Sequence, residues 1–373
     1  AGLPARQTRS DGKERLTAMM SFIEIMQHAV EIGASDVFII SGREVSAKVG
    51  KSFVKIGGER VMPDASRLIV EEAYVSGGRD ITRLQTTGDD DFAISVPGLA
   101  RMRMSAFKQR GSLAAVVRIV SFGIPDYKTL GIPENVMNAV NTNKGLVLVT
   151  GAAGSGKSTT LACMIDRINK TREGHIITLE DPIEFLYRND KSIISQREIE
   201  IDTKDYVSAL RACLRQAPDV ILLGEMRDYE TIKTAMTAAE TGHLILSTLH
   251  TLGAGNTVDR IIDIFPPNQQ QQIRVQLAML LHCVVSQQLV SKLDGGVVPV
   301  FEVMYVNGAI RNMIRDAKIH QIDAVISTAA AEGMQSMDAG LYELYKKGVI
   351  SEDSAVTCSV HPEIMEKRLR ISN

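Results

Sequence analysis

Eight residues at 151–158, GAAGSGKS, match the phosphate-binding pattern G-x-x-x-x-G-K-[ST]. An apolar run, GLVLVT, precedes them and a segment of helical pattern follows, which is the strand–loop–helix setting that this pattern requires. Glycines let backbone N–H groups turn towards a phosphate, and the N-terminus of the following helix favours negative charge. The sequence therefore predicts a nucleotide site rather than a glycine-rich turn without a ligand. The residues expected to bind the phosphates are Gly151, Gly154, Ser155, Gly156, Lys157, Ser158 and Thr159.

Two residues of this loop have expected roles of their own. Lys157 is expected to reach the β- and γ-phosphates, and the Ser158 hydroxyl is expected to bind Mg²⁺. The pattern thus predicts a nucleotide with Mg²⁺ as its metal ion. Hydrolysis needs two further groups, a carboxylate near the metal and a base that activates the attacking water.

Two glutamates stand at the ends of apolar runs, Glu180 in HIITLED and Glu225 in DVILLGE. Ligands of an open parallel sheet bind beyond the carboxyl ends of its strands, so both side chains are expected beside the phosphate loop. Glu225 closes a run typical of a Walker-B strand, although Gly224 occupies the usual aspartate position. We therefore assign Glu225 to Mg²⁺ and Glu180 to activation of water. The alternative is that either one is a solvated acid at the end of a strand.

Two histidines, His243 and His250, bracket another apolar run. They would lie roughly 23 Å apart in a fully extended strand, so they cannot share a metal ion. His250 is at the carboxyl end, where a neutral imidazole could position a γ-phosphate, and a structural role is equally compatible with the sequence. For Asp181 and Glu184, which follow Glu180, surface and structural roles both stay open.

Three arginines, Arg101, Arg103 and Arg118, lie on two alternating, strand-like runs nearer the N-terminus. An arginine that swings onto a triphosphate stabilises the charge of the transition state. The pattern alone favours the simpler alternative, a solvated basic face of a sheet.

The elements that must position these groups differ along the chain. Residues 1–19 are polar and are expected to form a flexible leader, whereas 20–120 mix helical patterns with short alternating runs and predict a small α+β domain. Residues 121–144 begin with prolines and glycines and predict a linker. Across 145–290, continuous apolar runs alternate with helical segments, which predicts an α/β fold with a parallel sheet covered on both faces. Residues 291–373 are expected to be mainly helical.

Composition excludes several classes of protein. The 373 residues include 42 Lys and Arg against 44 Asp and Glu, so no overall charge draws the chain to nucleic acid or to an anionic membrane. The apolar runs are much shorter than the ~20 residues of a transmembrane helix, so no transmembrane segment is expected. The four cysteines are far apart, which indicates neither a zinc site nor a disulfide framework.

Four segments in the expected order carry a family resemblance. GLVLVTGAAGSGKSTTLACMIDRIN, HIITLEDPIEF, VILLGEMRD and TAAETGHLILSTLHT resemble the Walker A, Asp-box, Walker B and His-box segments of secretion and type IV pilus motor ATPases. The resemblance extends from about Met20 to about Val349. The segment GAIRNMIRD at 308–316 is similar to a segment of the pilus retraction ATPases, and LRQAPDVILLGEMRD and FPPNQQQQ partly resemble the accessory retraction ATPases.

This resemblance implies a fold and a set of site residues. It implies a PAS-like N-terminal domain followed by a RecA-like P-loop ATPase domain with a helical C-terminal extension. Glu180 takes the position of the family's catalytic glutamate, and Glu225 that of its Walker-B glutamate. His250 and His243 fall on the His box. Arg103 and Arg118 match the arginine-bearing strands, which favours the arginine-finger role for both.

The resemblance also implies a function and partners. The expected protein is a ring of six copies that hydrolyses ATP to drive pilus retraction and twitching motility, at the cytoplasmic face of the inner membrane. Its expected partners are the platform protein of the pilus and a paralogous accessory retraction ATPase. The alternatives are an accessory retraction ATPase, an extension or secretion ATPase, and, from different classes, a RecA-like nucleic-acid translocase or a nucleotide switch without hydrolysis. The chain has no Trp and only 5% aromatic residues, which disfavours the stacking channel that a translocase needs, so no nucleic-acid partner is expected.

Overall fold

The computed structural model describes residues 20–372, except residues 51, 121 and 122. The predicted leader, 1–19, lies outside the described residues. The chain divides into two compact units, of which the first ends at Gly123 and the second begins at Ile124.

The first unit contains, within its described residues, one antiparallel sheet and three helices. The strands in chain order are β1 (Asp36–Ile39), β2 (Ser46–Val49), β3 (Ser52–Lys55), β4 (Asp89–Val96), β5 (Ala100–Gln109) and β6 (Ser112–Val120). Their order in the sheet is β3-β2-β1-β6-β5-β4. The helices are α1 (Phe22–Glu31), α2 (Pro63–Ser76) and α3 (Thr82–Thr87). This arrangement confirms the predicted α+β character of the N-terminal region.

Alternation along β5 explains how this sheet covers its core. Met102 and Met104 are fully buried, whereas Arg103 between them is exposed on the opposite face. A capping box starts α1: the Ser21 hydroxyl accepts from the N–H of Glu24, and the Glu24 carboxylate accepts from the N–H of Ser21. The first unit therefore has a core of its own, with Arg103 on the solvated face of the sheet.

The second unit is built on a larger, mainly parallel sheet. Its described strands are β7 (Gly145–Thr150), β8 (Gly174–Glu180), β9 (Ser192–Glu198), β10 (Val220–Leu223), β11 (Leu244–Leu249), β12 (Leu281–Ser291) and β13 (Val297–Tyr305). Their order is β13-β12-β7-β11-β10-β8-β9, and the β12–β13 pair is antiparallel whereas the other pairs are parallel. The strand β13 thus forms an antiparallel edge.

Helices cover this sheet and continue to the C-terminal end of the described chain. They are α4 (Glu134–Met137), α5 (Lys157–Thr171), α6 (Tyr206–Cys213), α7 (Tyr229–Glu240), α8 (Ala254–Asp263), α9 (Pro267–Leu280), α10 (Gly308–Arg315), α11 (Ile322–Thr328), α12 (Met337–Lys346), α13 (Glu352–Thr357) and α14 (Pro362–Ser372). Short 3₁₀ turns at Asn138–Val140, Ile319–Gln321 and Ala330–Glu332 connect some of them. None of the helices in residues 20–372 is long and apolar enough to cross a membrane.

Strand β7 lies near the centre of the sheet, and all six of its residues are buried. Leu146 and Leu148 pack into the hydrophobic cluster on one face, and Val147 and Val149 pack into the cluster on the other. Both faces of the sheet are thus covered, as the continuous apolar runs predicted. Because β7, β8, β10 and β11 are parallel, their carboxyl ends meet at one edge of the sheet.

Two features differ from the sequence prediction. Beyond residue 290 the sequence predicted mainly helix, and the structure adds β13, whose run VVPVFEV pairs with β12 and supplies β-branched residues to the sheet edge. Residues 124–144 of the predicted linker belong to the second unit, where Ile132, Val136 and Met137 are buried against its core. The prolines and glycines of this stretch suggested a linker, but its apolar side chains pack against the second unit.

Candidate nucleotide-binding site

The loop between β7 and α5 follows a path that only glycine permits at two positions. Gly151 has φ 145°, and a Cβ there would stand 2.3 Å from the carbonyl oxygen of Gln287 on β12. Gly156 has φ 89°, and its Cβ would stand 2.9 Å from the Gln287 side-chain nitrogen. The Gln287 side chain is itself fixed, because its Oε1 accepts from the Thr160 hydroxyl at 2.7 Å. The neighbouring strand β12 therefore presses on the loop, which explains these glycines physically.

Lys157 is the first residue of α5, and only 8% of it is exposed. Its Nζ donates to the carbonyl oxygens of Gly151 at 3.0 Å and Ala152 at 2.8 Å. Burial lowers the pKa of Lys157, and the charges of Glu225 and Glu184 oppose that shift. The ammonium group therefore already lies within the loop where phosphates are expected.

The buried hydroxyl of Ser155 also suits an anionic ligand. Its Oγ is buried and has no hydrogen-bond partner in the part of the chain that the structure describes. Leaving a buried hydroxyl unpaired is unfavourable, and a phosphate oxygen would accept a hydrogen bond from it. A buried hydroxyl and an ammonium group beside the backbone turn form a donor set that suits phosphate.

Glu180 ends β8, and 8% of the residue is exposed. Its Oε1 accepts from the Thr178 hydroxyl at 2.6 Å and from the Gln196 side-chain amide at 3.2 Å. Burial raises the pKa of Glu180 to about 7, while these two hydrogen bonds and one from the backbone of Glu184 oppose the rise. A carboxyl group that titrates near neutral pH is suited to accept a proton from water.

Glu225 lies just beyond the end of β10 and contacts two basic side chains. Arg227 Nε lies 2.6 Å from its Oε2, and His250 Nε2 lies 3.5 Å from the same oxygen. His250 follows the last residue of β11, so two adjacent parallel strands bring these side chains together. Gly224 precedes Glu225, and a Cβ there would stand 2.8 Å from the Tyr206 hydroxyl oxygen. This close approach accounts for glycine where Walker-B strands usually carry aspartate.

These groups line one cavity of about 260 Å³ at the carboxyl edge of the sheet. The sequence-predicted residues around it are Gly154, Lys157, Ser158, Glu180, Glu225 and His250, joined by Asp181 and Glu184. Ser158 and Glu225 offer one hydroxyl and one carboxylate to the same space. Mg²⁺ takes oxygen ligands and is usually completed by phosphates and water, so this donor set fits that ion.

The remaining predicted residues belong to other elements of the structure. His243 precedes β11 at the opposite end from His250, and its Nδ1 lies 2.9 Å from the Ala238 carbonyl oxygen, which indicates a structural role. Arg103 and Arg118 are register partners on β5 and β6 of the first unit, and both are exposed. Arg118 Nε lies 3.1 Å from Asp36 Oδ1.

Sequence reasoning missed several residues that shape the cavity. Gln196 and Thr178 hold Glu180, Gln287 supports the phosphate loop, and Arg227 contacts Glu225. The signal for Gln196 was weak because strand β9 itself was not predicted. Its run, SIISQRE, has no clear alternation, and its residues are mostly half-buried.

A phosphate loop after a central parallel strand, with strand-end acids lining the same cavity, defines a P-loop ATPase fold. The family model described as "Type II/IV secretion system protein" matches residues 11–349, and the chain belongs to this family. This match confirms the family resemblance carried by the four sequence segments.

Particular relatives agree over nearly the whole chain. The chain is 40% identical to the type IV pilus retraction ATPase PilT of Pseudomonas aeruginosa over 92% of its length and 99% of that protein. It is 38% identical to the type IV pilus ATPase PilU of the same organism, over 90% of its length and 88% of that protein. A crystal structure of the pilus retraction motor PilT with bound ADP matches with a TM-score of 0.85 at 42% identity, covering 94% of this chain and 100% of that one.

The loop geometry predicts a specific cost for adding one methyl group. Gly151→Ala would place a Cβ against the Gln287 carbonyl at a φ of 145°, so we expect lower stability by about 1–3 kcal/mol. We also expect at least a ~10-fold weaker affinity for a fluorescent ATP analogue, because the loop must move to relieve the contact. Urea unfolding and fluorescence titration measure the two effects.

Gly58 provides the matched control, because a Cβ there would meet nothing within 4 Å and its φ lies outside the left-handed region. Gly58→Ala is expected to leave both quantities unchanged. Equal nucleotide affinities for the Gly151 and Gly58 variants would contradict the proposed fit between loop and strand.

Proposed function

We propose that this chain is an ATP-hydrolysing motor that drives retraction of type IV pili. The observation that carries the proposal is the cavity in which the phosphate loop, Glu180 and Glu225 meet. The similarity to PilT over 92% of the chain supports retraction as the work that hydrolysis drives. In this proposal the chain's own residues supply the groups that the reaction needs.

In the proposed reaction, the Glu180 carboxylate accepts a proton from water as the water oxygen bonds to the γ-phosphorus. The bond from that phosphorus to the bridging oxygen breaks, and ADP leaves with the electron pair. Lys157 and the loop N–H groups stabilise the negative charge on the phosphates. Ser158 and Glu225 would hold Mg²⁺, which when bound neutralises charge on the β- and γ-phosphates. His250, which contacts Glu225, would help to place the γ-phosphate.

Single substitutions separate binding from chemistry. Lys157→Ala is expected to abolish productive ATP binding, because no other ammonium group lies in the loop. Glu180→Gln is expected to bind ATP normally and to lose ~10²–10⁴-fold in turnover, the usual contribution of a general base. Phosphate release and nucleotide titration measure the two steps. Normal turnover by Glu180→Gln would move the role of base to Glu225.

The arginines Arg103 and Arg118 are proposed to stabilise the transition state during turnover. If they contact phosphate mainly at that stage, Arg103→Ala and Arg118→Ala will lower kcat more than they raise KM. Arg60→Ala is the control, because Arg60 is also an exposed arginine of the first unit. Rates equal to that control would leave both residues as a solvated basic face.

The motor is proposed to act as a ring of six copies at the cytoplasmic face of the pilus base. There it would contact the inner-membrane platform protein and a paralogous accessory ATPase. A closed ring needs heterologous interfaces whose rotation closes. Light scattering with a Mg²⁺·ATP analogue is expected to give about six times the 40.7 kDa of one chain. A monomer at working concentrations would contradict the ring.

The test of the function itself is loss of the gene in its own host. Cells without the protein are expected to carry more pili and to lose retraction, as seen by fluorescence imaging of pilus length. The similarity to PilU, 38% against 40% for PilT, favours an accessory retraction ATPase as the second candidate. Retraction that is reduced but not lost would indicate this second function. Cells without pili would indicate an extension motor instead.

A further inference from the structure

Gln196 lies on β9 directly opposite Thr178 of β8. This register position is two residues before that of Glu180 on the same strand. Its side-chain Nε2 donates to Glu180 Oε1 at 3.2 Å and to the Phe185 carbonyl oxygen at 2.8 Å. Its Oε1 accepts from the N–H of Tyr187 at 3.0 Å. Two acceptors on one side and a donor on the other fix the orientation of the amide, because a flipped amide would face like groups.

The same amide therefore joins two parts of the cavity wall. One part is the Glu180 carboxylate, and the other is the turn at 181–188 that follows β8. Asp181, Glu184 and Tyr187 from this turn line the cavity. A shift of the Gln196 side chain would release Glu180 and the turn together.

We propose that Gln196 is a positioning residue for ATP hydrolysis, which holds the water-activating carboxylate of Glu180 against the turn at 181–188. This inference rests on the proposed function of Glu180 as the base. Gln196 does not line the cavity, so it acts through Glu180 rather than on the nucleotide. Thr178 donates to the same oxygen but bonds nothing in the turn, so its hydroxyl cannot replace the link.

The hydrogen bond also affects when Glu180 is ionised. Burial raises the pKa of Glu180 to about 7, and the Gln196 donor is one of the contacts that oppose the rise. Glu180 works as a base only as a carboxylate, so hydrolysis is expected to fall as the pH drops through about 7. Removal of the donor raises the pKa further and moves this acid limb to higher pH.

Other titratable groups lie around Glu180, and none of them is itself replaced in a Gln196 variant. They are Asp181, Glu184 and Tyr187 on the turn, Glu198 on β9, Tyr206 on α6, Lys157 in the phosphate loop, and Glu225 and His250 at the strand ends. A shift of the acid limb in a Gln196 variant therefore reports loss of the amide, both directly at Glu180 and through the turn that the amide holds.

The experiment measures kcat and KM for ATP from pH 5.5 to 9 in the full-length protein. Gln196→Met keeps the length of the side chain and removes both the donor and the acceptor. We expect at least a ~10-fold lower kcat at pH 7, as for loss of a hydrogen bond to a charged group, with KM nearly unchanged. We also expect the acid limb to move up by at least about half a pH unit.

Gln288→Met is the matched control, because Gln288 is another half-buried strand glutamine, and its amide donates to the Cys358 carbonyl oxygen away from the site. It is expected to keep the parent's profile. If Gln196→Met does not fold, Gln196→Glu decides the matter, since it keeps an acceptor for Tyr187 and replaces the donor with an acid. It is expected to move the acid limb upward as well.

Two results would overturn the inference. One is a folded Gln196 variant with the parent's kcat and acid limb, and the other is a rise in KM at unchanged kcat. Glu180→Gln, measured in parallel, separates the role of Gln196 from that of Glu180. If that variant hydrolyses ATP normally, the role proposed for Glu180 fails. If it is inactive while Gln196→Met behaves like the parent, only the role of Gln196 fails.

Discussion

The pairing of β7 with β11 on one side and β12 on the other governs the geometry of the nucleotide site. All six residues of β7 are buried, so the strand has no freedom to slide or to turn over. Its end must deliver the chain into the phosphate loop at a fixed point. There β12 comes so close that Gly151 and Gly156 cannot carry a side chain without displacing Gln287. Packing of the sheet thus determines the shape of the phosphate cradle before any ligand binds.

The two strand-end glutamates show how environment divides chemical work between like residues. Glu180 is buried among hydrogen-bond donors, and burial raises its pKa to about 7. Glu225 lies between the cationic Arg227 and the imidazole of His250, at an edge where a metal ion can be reached. A carboxyl group with a pKa near neutrality exchanges protons readily, whereas Glu225 shares its space with the Ser158 hydroxyl, a second oxygen donor for a metal ion. The contrast between the two sites supports the separate roles proposed for them.

Much of the architecture was predictable because its signals are local. The run GLVLVT predicted β7 over the residues where it lies, 145–150, and the run at 243–250 contains β11. Continuous apolar sequence indicates strands covered on both faces, and that inference needs no knowledge of the partners. By contrast, β9 and β13 are edge strands with mixed exposure, so their patterns are weak. The stretch 124–144 was also difficult, since prolines and glycines hide a segment that packs against the core.

By itself the sequence determined the class of chemistry. The motif at 151–158 and the acids Glu180 and Glu225 follow apolar runs, and parallel strands bring such ends to one edge. Only the tertiary structure decided which distant groups support this site, because Gln196 on β9 and Gln287 on β12 reach it through contacts that depend on sheet order and side-chain direction. Such contacts join residues that are close in space but far apart in the sequence, so the spacing of residues along the chain does not predict them.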